Sequence, residues 1–157
     1  MWPALSGFML SELLILSFAL VLFYYWFRYN CHAILRTAET GERARQVAAA
    51  NELRFPYVLE YLQGELTLEE IEALDTWLQR DYEVLTSLLR YTSALRVGSH
   101  TVEQRILMAD FKLQQLWFAI TKKSMTGAAR RSLEERAHIL THFANTLSAR
   151  SASLSRT

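Results

Sequence analysis

The chain has 157 residues with 17 basic and 16 acidic side chains, a net charge of +1. That balance gives no footing for nucleic acid, and no basic stripe interleaved with aromatics occurs outside the most apolar segment. With 5 glycines, 2 prolines and a stretch after residue 30 rich in Leu, Ala, Glu and Arg, the composition is that of helices on short connections, with no need for a second globular domain.

The first predicted element is a membrane span. Leu5 to Phe27 reads LSGFMLSELLILSFALVLFYYWF with one charge, and a helix of that length rises roughly 35 Å, enough to cross a bilayer with some tilt. A cleaved signal peptide fits less well, because no Lys or Arg precedes the apolar run and no small-x-small site precedes a polar start. Tyr24, Tyr25, Trp26 and Tyr29, with Arg28 among them, match an aromatic belt at a headgroup layer, and Trp2 suits the other interface. Residues 1–30 are thus predicted to be a single-pass anchor with a short outside amino terminus. Arg28, Arg36, Arg43 and Arg45 follow the span and no basic residue precedes it, which puts the following domain on the cytoplasmic side. Glu12 is explained by a place near the outer headgroups, with Leu13 to Tyr29 in the hydrocarbon; a deeper position would mark a proton path or a partner's arginine. Gly7 and Ser11 would permit close approach of another helix, a common pairing by chance.

Residues 31–147 are predicted to form an antiparallel bundle of about four helices, and residues 148–157 a Ser-rich disordered tail, making the whole chain all-α. Cys31, the single cysteine, can form no intrachain disulfide. Thr40 and Gly41 offer the first break. Glu42 to Gln63 then places Ala44, Val47, Ala48, Asn51, Phe55, Val58 and Leu62 near one face, with Pro56 kinking the helix or starting a new turn. Thr67 and Glu70 make a capping box for a helix running to Val97 before Gly98, its core stripe being Ile71, Leu74, Leu78, Leu85, Leu88 and Leu95. Trp77, Tyr82, Val84, Leu89 and Tyr91 widen that stripe toward more than one neighbour. Thr101 and Gln104 make a second capping box, ahead of the cleanest pattern in the chain: Val102, Ile106, Ala109, Leu113, Leu116 and Ile120, expected to face the core. Gly127 is expected to interrupt, and a last helix, capped by Ser132 with Glu135, to carry Leu133, Ala137, Leu140, Ala144 and Leu147.

Charge is divided along the chain. Glu39 to Glu83 holds 11 acids against 4 bases, and Arg90 to Thr157 holds 11 bases against 4 acids. Pairing of acidic early helices with basic later ones is the simplest use of this division. The alternative is a docking cluster of Lys122, Lys123, Arg130 and Arg131 at the end of the bundle that holds the Gly64 turn, receiving an acidic partner or, in an inverted bundle, anionic lipid.

Few residues suggest chemistry. Glu135, His138 and His142 share a helix at metal-ligand spacing, but a di-iron site needs a second such pair and the sequence has none, so they remain weak metal candidates and no cofactor is predicted. His32 lies beyond the aromatic belt without a second axial ligand for haem. Asn51, Asp81, Thr92 and Asp110 read as buried polar groups that fix helix register. Phe111, Trp117 and Phe118 are candidate anchors of a protein interface, or else fill the corners of a wide core. Without a catalytic motif, the sequence predicts no enzyme. It predicts a membrane-anchored accessory or scaffold subunit that docks or stabilises an integral-membrane protein or complex, or a second copy of itself, through its cytoplasmic bundle. A membrane-tethered sensor, with a ligand cavity and a helix continuous through Gly41, is the alternative; a metal-binding helical enzyme is the third.

Overall fold

The longest apolar run of the sequence folds as one continuous helix. In the computed structural model, which describes residues 3–36, 41–95, 101–124 and 126–154, helix α1 covers Pro3–Arg36. Its stretch Ser11–Leu35, 25 residues, is long and apolar enough to cross a membrane. Every side chain from Ser11 to Trp26 is exposed. The chain divides into two compact units, Met1–Arg36 and Thr37–Thr157. Trp2, Thr40 and Gly98, given roles in the sequence reading, lie outside the described residues.

The second unit is a helical bundle of α2 (Gly41–Ala50), α3 (Phe55–Tyr61), α4 (Leu68–Leu95), α5 (Val102–Thr121) and α6 (Thr126–Leu154). The two short helices occupy the stretch read as one kinked helix. After Ala50 the chain turns through Glu52 in the left-handed region (φ 53°), and Pro56 stands in the first turn of α3, where its missing N–H costs nothing. Both predicted capping boxes form. The Thr67 N–H donates to the Glu70 carboxylate (2.8 Å) and the Glu70 N–H to Thr67 Oγ1 (3.3 Å), while Thr101 and Gln104 make the same reciprocal pair ahead of α5.

Helix α6 organises the unit: α2, α3, α4 and α5 all pack on it. Its buried residues form one broad face, with Leu133, Ala137, Leu140, Ala144 and Leu147 of the predicted stripe joined by Ala129, Arg136, Ile139 and Phe143, while Arg131, Glu134 and His138 are exposed. A buried face wider than a two-helix seam lets one helix meet several neighbours. Its limits differ from the sequence reading. Gly127 lies inside the first turn, with open space around its Cα, and Ser132 is no cap: it is buried mid-helix and its hydroxyl donates to the Gln114 carbonyl of α5 (2.7 Å). At the other end α6 continues through Ser148 to Leu154, into the segment expected to be disordered.

Polar groups fix how the helices meet. Asp81 on α4 is buried and accepts the backbone N–H groups of Arg54 (2.7 Å) and Phe55 (2.6 Å), so a distant carboxylate caps α3. Burial raises the Asp81 pKa, and these two hydrogen bonds oppose the shift. Arg136, fully buried on α6, pairs with Asp75 of α4. Lys122 meets Glu72 at 2.8 Å and Arg130 donates to the Gly64 carbonyl, so the Gly64 turn, the start of α4 and the α5–α6 connection share one end of the bundle. Two acidic side chains of α4, Glu72 and Asp75, thus pair with basic side chains of the later half. Asn51 differs from its reading as a buried register residue: it is exposed in the turn after α2, and its side chain donates to the Val47 carbonyl of that helix.

Candidate functional site

Helix α5 carries two apolar faces and buries only one. Its inward face comprises Leu107, Phe111 and Phe118, with Gln104, Asp110, Gln114 and Thr121. Phe111 stacks on Tyr82 of α4 (ring centres 4.1 Å apart, planes at 12°) and lies under the Arg136 guanidinium (4.6 Å). The polar residues on this face have uses. The Thr121 hydroxyl donates to the Trp117 carbonyl at 2.8 Å, and Gln104 Oε1 accepts from Arg150 at 3.2 Å.

The cleanest sequence pattern therefore points the other way. Val102 is 72% exposed, Leu116 59% and Ile120 62%; Leu113 and Ala109 are exposed as well, and Ile106 is half-buried. This overturns the expectation that the stripe faces the core. The reason lies in side-chain size: two phenylalanines offer more apolar area and a stacking partner on α4, whereas the stripe of aliphatics makes no comparable contact. Among the described residues α5 packs against the backbone of α6 alone, so it is an edge helix. A row of apolar side chains on an edge helix, over a helix of 20 residues, is the kind of exposed patch that marks an interaction site.

The predicted interface residues divide between the two faces. Trp117 stands beside the exposed stripe, 49% exposed. Phe111 and Phe118 are buried and serve the core, Phe111 stacking on Tyr82 of α4. The four-residue basic cluster is likewise divided. Lys122 and Arg130 are engaged with Glu72 and the Gly64 carbonyl, and Lys123 and Arg131 are exposed. In α1, Glu12 and Trp26 are exposed, and Arg28 sits one turn from His32, their side-chain nitrogens 3.2 Å apart.

Chemistry finds less support. Among the described residues no group of three His, Cys, Asp or Glu side chains is placed to hold a metal ion, so Glu135, His138 and His142 do not make a site. His142 is half-buried, and burial lowers its pKa against the opposing pull of Glu103 on α5. A cleft of about 550 Å³ between α2 and α3, lined by Arg45, Arg54, Tyr57 and Glu60 among others, lies open at the surface, and Arg45 and Glu60 approach to 3.6 Å across it. The helix continuity through Gly41 that a sensor requires falls on residues outside those described. Sequence reasoning found the α5 stripe and misjudged its direction; the signal that would have corrected it is the competing Phe111 and Phe118 pair, seven residues apart on the same helix. Comparison with protein-family models, with curated proteins and with solved structures finds no match to this chain.

Proposed function

We propose that this chain is a membrane-anchored accessory or scaffold subunit, in which α1 crosses the bilayer and the bundle presents α5 as a protein-docking helix. The observation that carries the reading is the exposed stripe Val102, Ala109, Leu113, Leu116 and Ile120, flanked by Trp117. An apolar stripe of this length is costly to leave in water and is the usual core of an interface, with an aromatic residue as its anchor. The exposed apolar surface of α1 from Ser11 to Trp26 supports an anchor. The excess of Arg after the span supports a cytoplasmic bundle and an outside amino terminus.

An integral-membrane protein or complex is the partner such a tether serves, because anchoring in the same bilayer raises the effective concentration of two docking surfaces. The test is gentle detergent extraction of the tagged chain from its own membrane, with mass spectrometry of what co-purifies. A stoichiometric integral-membrane partner that is lost in the double variant Leu113→Glu, Leu116→Glu is the expected result. Release of the chain by alkaline carbonate, or recovery of the same partner with the double variant, refutes it.

A further inference from the structure

Where the apolar run of α1 ends, charge of one sign begins. After Glu12 no acidic residue occurs until Glu39, while Arg28, His32 and Arg36 follow the run at intervals of four. Leu5 to Phe27 rises roughly 35 Å against a hydrocarbon core of roughly 30 Å, so with α1 across a bilayer residues 28 to 33 stand at the depth of the lipid phosphates. Tyr25, Arg28, Tyr29 and His32 are spaced to share one side of the helix. Together with Ala33 they line an open hollow of about 480 Å³. All of its lining residues belong to α1, and Tyr25, Tyr29, His32 and Ala33 are exposed while Arg28 is half-buried.

From this geometry and charge we infer that the hollow binds the phosphate of one anionic phospholipid, in the leaflet on the bundle side of the membrane. The inference rests on the anchor proposed for α1 and adds a ligand to it.

The two basic side chains converge. Arg28 Nη2 lies 3.2 Å from His32 Nε2. A guanidinium can only donate, so the imidazole accepts and is neutral in this contact, which leaves the arginine charge in place. A phosphate that reaches Arg28 meets a planar fork of N–H donors matched to its own oxygens. His32 adds a donor of its own when it turns its protonated nitrogen to the anion. Tyr25 and Tyr29 flank the pair, and each combines a ring suited to the glycerol and first methylenes with a hydroxyl suited to the polar layer. Tyr25 stands about one turn deeper than Arg28, on the side of the acyl chains. Charge then decides the headgroup: Arg28 repels the ammonium of a choline or ethanolamine lipid and attracts a headgroup that carries the phosphate charge alone. A free phosphate would use the guanidinium and leave both rings idle, whereas a lipid uses the whole hollow and is already concentrated at this depth.

The experiment uses the full chain, reconstituted in bilayer discs of phosphatidylcholine mixed with phosphatidylglycerol and released intact into a mass spectrometer, where the lipids still bound are identified. One phosphatidylglycerol per chain is expected, enriched over its share of the bilayer. Arg28→Gln with His32→Gln is expected to lower that occupancy by about tenfold, the loss of a charge-assisted hydrogen-bonded contact. Arg43→Gln with Arg45→Gln removes more charge beyond the end of α1 and is expected to leave the occupancy unchanged. Arg28→Lys keeps the charge at the interface and lacks the planar fork, so it inserts as the wild type does and is expected to retain less phosphatidylglycerol. Bound lipid in the proportions of the bilayer, undiminished retention in Arg28→Lys, or an equal loss in the Arg43 and Arg45 variant, which would mean diffuse surface attraction, overturns the site. Displacement of the lipid by millimolar inorganic phosphate would make a free anion the ligand and overturns it as well. Resistance to alkaline carbonate is measured on the same chain: a chain that resists it and shows no lipid preference sinks this inference and keeps the anchor, and a chain that carbonate releases loses both.

Discussion

The Arg136 guanidinium lies 4.6 Å from the ring centre of Phe111, and the same guanidinium pairs with Asp75. One side chain of α6 therefore holds both α5 and α4. Arg136 is fully buried, with Nε and Nη2 lacking protein partners, so its charge depends on the Asp75 carboxylate. Removing that carboxylate by Asp75→Ala is expected to destabilise the bundle by about 3 kcal/mol, because a buried cation is left uncompensated. Arg136→Met, which removes the charge and keeps the volume, is expected to cost less. Thermal unfolding followed by circular dichroism on the full chain decides the order, and equal losses would mean that packing alone matters at this position.

The inward turn of α5 makes an asymmetric prediction. Phe111→Ala is expected to cost about 3–5 kcal/mol, the range for a buried aromatic side chain. Leu116→Ser, on the exposed stripe, is expected to change the stability of the monomer by less than about 0.5 kcal/mol. Melting temperatures measured on dilute, monomeric chain provide the comparison. Were the two effects reversed, α5 would face the core with its other side.

Asp81 supplies a third test, one that separates a hydrogen-bonding role from a charge. Asp81→Ala leaves the N–H groups of Arg54 and Phe55 without their acceptor and is expected to cost about 2 kcal/mol. Asp81→Asn keeps an acceptor oxygen and is expected to retain most of the stability. Amide exchange at Arg54 and Phe55 should accelerate in the first variant and stay near wild type in the second.

The His142 imidazole gives the bundle a pH dependence of known sign. Burial lowers its folded pKa below the ordinary value of 6.5, so the unfolded chain takes up the proton first as pH falls. Stability on this account is complete above pH 6.5 and declines as pH drops from there toward the folded value, by less than about 1.4 kcal/mol per pH unit because the group is half-buried. In His142→Gln the decline between pH 7 and 5 should shrink. A variant with the same slope as wild type would assign the acid sensitivity to other groups.

How far the sequence disclosed these features depends on whether neighbours in space were also neighbours in the chain. The helices at Thr67 and Thr101 were legible because a capping box closes over three residues. The apolar span was legible because a continuous apolar run is read from its own residues, without a partner elsewhere in the chain. Asp81 and Arg136 were not, since the first acts 27 residues away on α3 and the second 61 residues away on α4. The direction of α5 was hidden for a different reason: periodicity reports that a face is apolar and says nothing about which of two apolar faces meets the core. The start of α6 was placed too late because Gly127 reads as a breaker in sequence, although an exposed first turn tolerates it.

The central position of α6 also sets an order of events in synthesis. Of the described helices it is the last to leave the ribosome, yet α2, α3, α4 and α5 all pack against it. Until α6 emerges, the earlier helices lack the surface that would close their apolar faces, and the nascent chain leaves those faces open. A stop codon or a stall ahead of residue 126 would therefore yield unpacked helices instead of a smaller bundle.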